Sequence, residues 1–436
     1  MQYKFRPIVL ALFCCAVATV AAAPKDASTE PPERAIVAAI RAEEPRALAL
    51  LEEIVNINSG TLNFAGVREI AERVRPRFEA LGFKTRWEDG GAYRRAGHLI
   101  AEHDGKGPHV LLIGHLDTVF EPEHPFQRYE RRGDLAYGPA TADMKGGIVV
   151  ALAALAALRE VNALDDLRLT VVLHGDEEDA GEPIELARRT LVEAAQAADI
   201  AIGLENADDD PKTAVLARRS SSRWQVTVEA TSAHSSQIFT DEVGAGAINE
   251  LARILHRFYE ELRGEDYLTF NPGLIAGSTQ LEYDAEALRA QTSGKDNIVA
   301  PIAIASGDLR AITLEQRERT KERMRKIVSD HLPGTRARIE FSDGYPPMAP
   351  TEGNRRLLSL YDAVSRDLGF GPVSAVDPRK AGAADISFAA DHVGMAIDGL
   401  GLLGGNSHTG EEFADLRTFQ VQAQRLAVLL YRLSKR

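Results

Sequence analysis

Side chains able to hold a divalent cation gather in five short segments of this 436-residue chain. His115 and Asp117 lie in GHLDTV, Asp143 in ATADMKGG, Glu177 and Glu178 in HGDEED, Glu205 just after DIAIGL, and His408 in GGNSHTGEEF. Any one of them alone reads as a solvated loop acid or a surface histidine. Together, two histidines and several carboxylates suit a borderline cation such as zinc, whereas an all-oxygen set would point to magnesium or calcium.

The adjacent acids Glu177 and Glu178 can divide the work. On extended backbone, neighbouring side chains point in different directions. One carboxylate can then ligate a metal while the other takes a proton from an attacking water and hands it to a leaving amine. The His-x-Asp spacing of His115 and Asp117 has its own logic. A ligating imidazole needs a partner on its other nitrogen to fix its tautomer, and Asp117 is placed to provide one.

These residues need a scaffold that brings chain ends together. Short apolar runs read as buried strands: HLIAEH near residue 100, HVLLIG ending at Gly114, LTVVLHG ending at Gly175 and DIAIGL ending at Leu204. Helical stretches lie between them, at Ile148 to Val161 (best read as a buried helix) and Pro183 to Ala197. An earlier amphipathic helix carries Val67, Ile70, Ala71, Val74, Phe78 and Leu81, with a kink expected at Pro76. Strands alternating with helices predict an α/β sheet with helices on both faces. In such sheets ligands bind beyond the carboxyl ends of the strands, which is where these acids and histidines fall.

The pattern changes near residue 216, where SSRWQVTVEATS alternates apolar and polar residues, as a strand with one solvated face does. Helix (Val243 to Leu262), strand (Gly307 to Ile312), charged helix (Thr313 to His331) and the strand ARIEF follow. Residues 216–342 therefore read as an inserted α+β domain between two catalytic segments, 33–215 and 343–436. The second segment carries a helix (Asn354 to Leu368), the strand GMAIDG and a final helix (Leu416 to Leu433).

The N-terminus places Lys4 and Arg6 before an apolar run ending in Ala21, Ala22 and Ala23. That reads as a secretory signal over residues 1–23, and the run is shorter than the ~20 residues a spanning helix needs. No later segment reads as apolar enough to span. Periplasmic or secreted placement follows, without a membrane anchor after cleavage. The only cysteines, Cys14 and Cys15, fall inside this signal, so disulfides are excluded and any metal site uses His, Asp and Glu. Cleavage would remove Lys4 and Arg6 and shift the formal net charge from -13 to -15. That balance disfavours nucleic acid or an anionic membrane as partner and favours small soluble substrates.

With these motifs in order, the chain resembles the dinuclear zinc exopeptidases and deacylases: glutamate carboxypeptidase, aminoacylase, acetylornithine deacetylase and succinyl-diaminopimelate desuccinylase. The resemblance runs from about Leu51 to the C-terminus. It implies a zinc-exopeptidase-like α/β catalytic domain with a mixed, mostly parallel sheet covered by helices, and an inserted α+β lid and dimerisation domain. It further implies two Zn2+ per subunit, with Co2+ or Mn2+ as substitutes. His115 and Glu205 would hold one zinc and Glu178 and His408 the other, with Asp143 bridging, Asp117 orienting His115 and Glu177 acting as general base and acid. In such relatives a lid histidine reaches into the partner's active site across a homodimer; here that residue is His234 in TSAHSS. Asn297 in DNIVAP and Arg310 in GDLR are, by the same similarity, contacts for a substrate carbonyl and carboxylate. One departure stands out: the Arg-Gly-Arg-Pro-like turn of glutamate carboxypeptidases reads SDGYPP here, so Arg310 is left to hold a terminal carboxylate.

The implied activity is carboxypeptidase-like hydrolysis of an amide next to a free carboxylate, in a peptide or an N-acyl amino acid. A deacylase would use the same motifs, and an exported solute- or metal-binding protein would keep the fold without catalysis, against which the intact Asp117, Glu177 and five ligands speak. His98, His103, His109, His124, His174, His256, His331 and His392 match no ligand position and read as structural or solvated. Asp208, Asp209 and Asp210 read as an exposed turn, without calcium-loop spacing. Arg218 and Arg219 read as a solvated hinge.

Overall fold

The computed structural model describes residues 30–285 and 287–436. Residues 1–23, read from the sequence as a secretory signal, lie outside them.

A six-stranded sheet forms the larger body. Its strands run in the order Lys84–Asp89, Gly97–His103, Arg168–His174, His109–His115, Ile200–Gly203 and Met395–Ile397. The first two pairings are antiparallel and the remaining three parallel, so the sheet is mixed and mostly parallel. The unbroken apolar runs have a simple cause, since both faces are covered. In His109–His115, Val110 and Leu112 enter the main core, while Leu111 and Ile113 enter a second core on the opposite face. Arg168–His174 divides the same way, with Leu169, Val171 and Leu173 against Val172.

The main core is closed by Pro31–Val55, Phe64–Ala80, Gly146–Glu160 and Arg417–Leu433. The first of these was not anticipated from the sequence. It begins with proline at its first position, where no amide hydrogen is needed. It buries Ile36, Ile40, Ala47, Leu50, Leu51 and Ile54 along one stripe. Phe64–Ala80 continues as one helix past Pro76. The segment Thr141–Glu160 corrects the expectation that no later stretch is apolar enough to span: by length and composition it is, yet 89% of its apolar window is buried inside the protein.

A four-stranded antiparallel sheet stands apart, ordered Thr269–Ser278, Ile302–Arg310, Ser222–Ala230 and Thr335–Asp343. Helices Ala247–Leu262 and Leu314–Ser329 cover one face. There Trp224, Val226, Val228, Ala303 and Ala305 pack against Leu251, Ile254, Phe258, Met324 and Ile327 in a core of their own. The other face is the polar half of the alternation. The strand Thr269–Ser278 and a hairpin of Gln280–Asp284 with Arg289–Ser293 were not anticipated.

The chain crosses between the two bodies twice, and the crossings pair. Arg218 and Met348 form an antiparallel bridge with both hydrogen bonds. The Ser221 amide donates to the Tyr345 carbonyl, and the Gly344 amide to that of Ser221.

Candidate metal centre

The strand His109–His115 delivers its last residue, His115, to the carboxyl edge of the sheet. The neighbouring strands Arg168–His174 and Ile200–Gly203 end beside it, so the acids that follow each one arrive on the same rim. His115 Nε2 lies 3.3 Å from Asp143 Oδ1 and 3.4 Å from Glu205 Oε1. His408 Nε2 lies 3.2 Å from Asp143 Oδ2 and 3.1 Å from Glu178 Oε2. Two donor groups result, His115 with Asp143 and Glu205, and Asp143 with Glu178 and His408. Asp143 belongs to both and turns one oxygen to each.

Asp143 sits where no regular element could hold it. It lies in a distorted turn before Gly146–Glu160, with a cis peptide to Met144. Glu412, which the sequence reading missed, fixes this turn. Its buried carboxylate accepts from the amides of Ala140, Ala142 and Asp143 at 3.2, 3.1 and 3.2 Å. Glu412 leads into the short strand Phe413–Asp415, which pairs with Leu135–Tyr137, so one small sheet anchors both the Asp143 turn and the His408 loop. Burial, helped by Asp143, pushes the Glu412 carboxyl up to about 8. Lys145 is buried behind the turn, donating to the Ile57 carbonyl at 3.0 Å, and burial lowers its ammonium to about 7.

Asp117 stands behind the centre and does more than orient a histidine. It faces His115 Nδ1 with Oδ1 at 3.4 Å and its own carbonyl at 3.2 Å. Its carboxylate also accepts from Thr61 Oγ1 at 2.7 Å and from the consecutive amides of Glu177 and Glu178, each at 3.1 Å. Those two amides converge on one carboxylate, which corrects the premise of extended backbone: the acidic pair rides a turn just past the strand. The division between its members stands. Glu178 joins a donor group and Glu177 does not.

The electrostatics fit a site built for cations. Burial pushes Glu177, Glu205 and Glu178 up, against the opposing pull of nearby histidines. Burial alone would depress His115, but Glu205, Asp117 and Asp143 outweigh it and hold the imidazole well above its ordinary value. Hydrogen bonds to the carboxylates of Asp143 and Glu178 raise His408 to about 11. Among the described residues, Glu178 Oε1 is buried without a hydrogen-bond partner. Crowded acids, two imidazoles and an unclaimed carboxylate oxygen are the donors that a pair of divalent cations would satisfy.

The three expected substrate contacts lie on the smaller body, away from these groups. His234 and Asn297 are exposed on adjoining segments, joined by the Ser235 amide donating to the Asn297 carbonyl at 2.9 Å. Arg310 pairs with Asp308 at 3.2 Å. None of the three bonds to the cluster. Arg218 corrects the solvated-hinge expectation: it is buried, its Nη2 lies 2.8 Å from Asp398 Oδ2, and it donates to the Gly382 carbonyl. Asp398 in turn accepts from the Glu205 amide at 3.3 Å.

Behind the acidic pair lies a second buried network that no motif announced. Arg188 donates to Asp385 Oδ1 at 2.7 Å, to Asp176 Oδ1 at 2.8 Å and to Tyr345 Oη at 3.1 Å. His174 pairs with the other oxygen of Asp385 and packs edge-on against His98. Asp176 sits inside the motif HGDEED, the one signal in the sequence that could have pointed here.

Comparison with known proteins agrees with this geometry. The profile of peptidase family M20/M25/M40 matches residues 111–432. Carboxypeptidase G2 of Pseudomonas sp. (strain RS-16) is 26% identical over 395 residues, covering 86% of each chain. A probable succinyl-diaminopimelate desuccinylase of Staphylococcus aureus (strain Mu50 / ATCC 700699) is 30% identical over 178 residues, 39% of this chain and 42% of that one. Among solved structures, aminopeptidase PepT from Bacillus cereus ATCC 10987 superposes with a TM-score of 0.68 at 18% identity, over 90% of this chain and 99% of that one. The fold, the shared aspartate between two donor groups and the profile match together show that this chain belongs to the peptidase family M20/M25/M40.

Proposed function

We propose that the chain is an exported, zinc-dependent metallo-exopeptidase of carboxypeptidase type, hydrolysing an amide bond next to a free carboxylate. The observation that carries this reading is Asp143, whose two oxygens face two separate histidine-carboxylate groups. Similarity to a carboxypeptidase over 86% of both chains supports the reaction type. His115, Asp143 and Glu205 would hold one zinc, and Asp143, Glu178 and His408 the other; two nitrogen donors among carboxylates favour zinc over magnesium or calcium. When bound, such a pair supplies Lewis-acid polarisation of the scissile carbonyl and acidifies water.

The chain's own residues do the rest. Asp117 keeps the His115 tautomer that leaves Nε2 free and pins the turn carrying the acidic pair. Glu177 takes a proton from the attacking water as its oxygen joins the carbonyl carbon. It returns that proton to the amide nitrogen as the C–N bond breaks, giving an acid and an amine. Burial, which favours the protonated form of Glu177, suits it to hold the proton between the two steps.

Arg310 and Asn297 would receive the substrate's carboxylate and carbonyl, and His234 would act across a homodimer. Exposed apolar side chains on the smaller body, Phe239 at 73% and Ile275 at 63%, are consistent with such a pairing surface. Residues 1–23 would direct export and be removed, so a periplasmic or secreted chain beginning near Pro24 is expected from mass spectrometry of cell fractions.

The deciding experiment screens the zinc-loaded mature chain against dipeptides and N-acyl amino acids. Hydrolysis that requires a free carboxylate, stops on chelation and returns with zinc is expected. Preference for acyl groups over peptides would move the assignment to a deacylase. Zinc bound without hydrolysis of any of them would overturn the enzyme and leave a binding protein.

A further inference from the structure

Glu177 sits on a turn, where no sheet ladder holds its peptide groups. Two side chains hold them instead. Asp117 accepts from the Glu177 amide at 3.1 Å, and Tyr345 Oη donates to the Glu177 carbonyl at 2.9 Å. Both backbone ends of this one residue are thus fixed from outside, by groups 60 residues before it and 168 after it.

Tyr345 is itself fixed from two sides. Arg188, buried and tied to Asp385 and Asp176, donates to the phenol oxygen at 3.1 Å. The ring packs edge-on against Phe388, centroids 5.1 Å apart. The backbone of Tyr345 lies in the paired crossing between the two bodies, where its carbonyl accepts from the Ser221 amide. Beside this crossing lies a cleft of about 700 Å3, lined by Tyr345 itself together with Gly181, Glu182, Ser222, Arg223 and Gly344. The cleft leaves room between the crossing and the segment that follows the acidic pair.

We propose that Tyr345 is a positioning residue for Glu177, tying the backbone of the base to the strand on which the chain returns from the smaller body. This rests on the reading of Glu177 as general base. Displacement of the crossing carries the phenol with it and releases the Glu177 carbonyl, so the base is aligned only while the crossing is seated. Displacement of about 1 Å at a reacting group costs on the order of 10²-fold in rate.

The test uses the full-length mature chain loaded with zinc and whichever dipeptide or N-acyl amino acid it cleaves in the screen. Tyr345→Phe should lower kcat roughly 10- to 100-fold, with KM within about twofold and zinc content unchanged. The phenyl ring keeps the contact with Phe388, and a thermal melt checks the fold. 3-Fluorotyrosine at position 345 keeps the hydroxyl and should keep kcat within about twofold of wild type. In a Glu177→Asp background, where the carboxylate is already withdrawn, Tyr345→Phe should change kcat by less than about threefold. A wild-type kcat for Tyr345→Phe, an equal loss in both backgrounds, or an equal loss for the fluorotyrosine and phenylalanine chains would each overturn the proposal. Failure of the underlying reading looks different: Glu177→Gln itself would then turn over at the wild-type rate.

Discussion

Asp117 stands behind His115 with its Oδ1 3.4 Å from the imidazole Nδ1, while Nε2 faces Asp143 and Glu205. The same carboxylate accepts from Thr61 and from two backbone amides, so it is acceptor only and fully engaged. Asp117→Asn turns one of these acceptors into a donor that meets another donor. Metal affinity is expected to fall roughly 10- to 100-fold, with a loss of about 1–3 kcal/mol in stability from the mismatched buried group. Chelator competition and denaturant unfolding of the metal-free chain measure the two effects separately.

Glu177 lies outside both donor groups. Glu177→Gln should therefore keep its metal content while kcat drops roughly 10²- to 10⁴-fold, as loss of a general base does. Metal analysis beside steady-state kinetics checks this, and a parallel loss of metal would make Glu177 a ligand instead.

The metal-free protein should lose stability as pH rises. Glu412, raised by burial from 4.5 to about 8, binds more proton in the folded chain than in the unfolded one. Its contribution is fully present below about pH 4.5 and is lost as pH climbs to about 8. His115, also raised, acts in the same direction from its ordinary value of 6.5 upward. Melting temperature without metal should thus be lower at pH 8 than at pH 5.5. Saturating zinc should shrink or reverse the difference, because its ligands bind deprotonated. Melts flat across this range without metal would contradict the assignment of buried, protonated acids.

Arg218 offers a stability test at the crossing. A solvated arginine would cost within about 0.5 kcal/mol when replaced. Buried against Asp398 as it is, Arg218→Ala should cost about 3–5 kcal/mol, since it strands a buried carboxylate. Equilibrium unfolding in denaturant decides between the two.

Gly147 is the second residue of the helix behind the Asp143 turn, and a Cβ there would lie 2.1 Å from the carbonyl oxygen of Leu204, the residue before Glu205. Gly147→Ala should destabilise by about 1–3 kcal/mol and weaken metal binding in the His115 group before the His408 group. Stepwise zinc titration resolves that order.

Much of the cluster was legible because His115, the acidic pair and Glu205 follow strands whose buried, two-faced character shows as unbroken apolar runs; parallel neighbours then place their ends on one rim. What stayed hidden depends on pairings remote in the chain. Arg218 and Asp398 are 180 residues apart, and nothing local distinguishes a clamping arginine from a solvated one. Glu412 works by capping amides of an irregular turn, a role with no periodicity to betray it. Tyr345 falls in SDGYPP, where the sequence shows only a missing arginine. The first helix, Pro31–Val55, spreads its apolar stripe among many charged residues, which blurs its helical periodicity.

One carboxylate between two histidines makes the halves of the centre inseparable. Any substitution at Asp143 would remove a ligand from both donor groups at once. For the same reason the metal preference of one half cannot be re-engineered without altering the other.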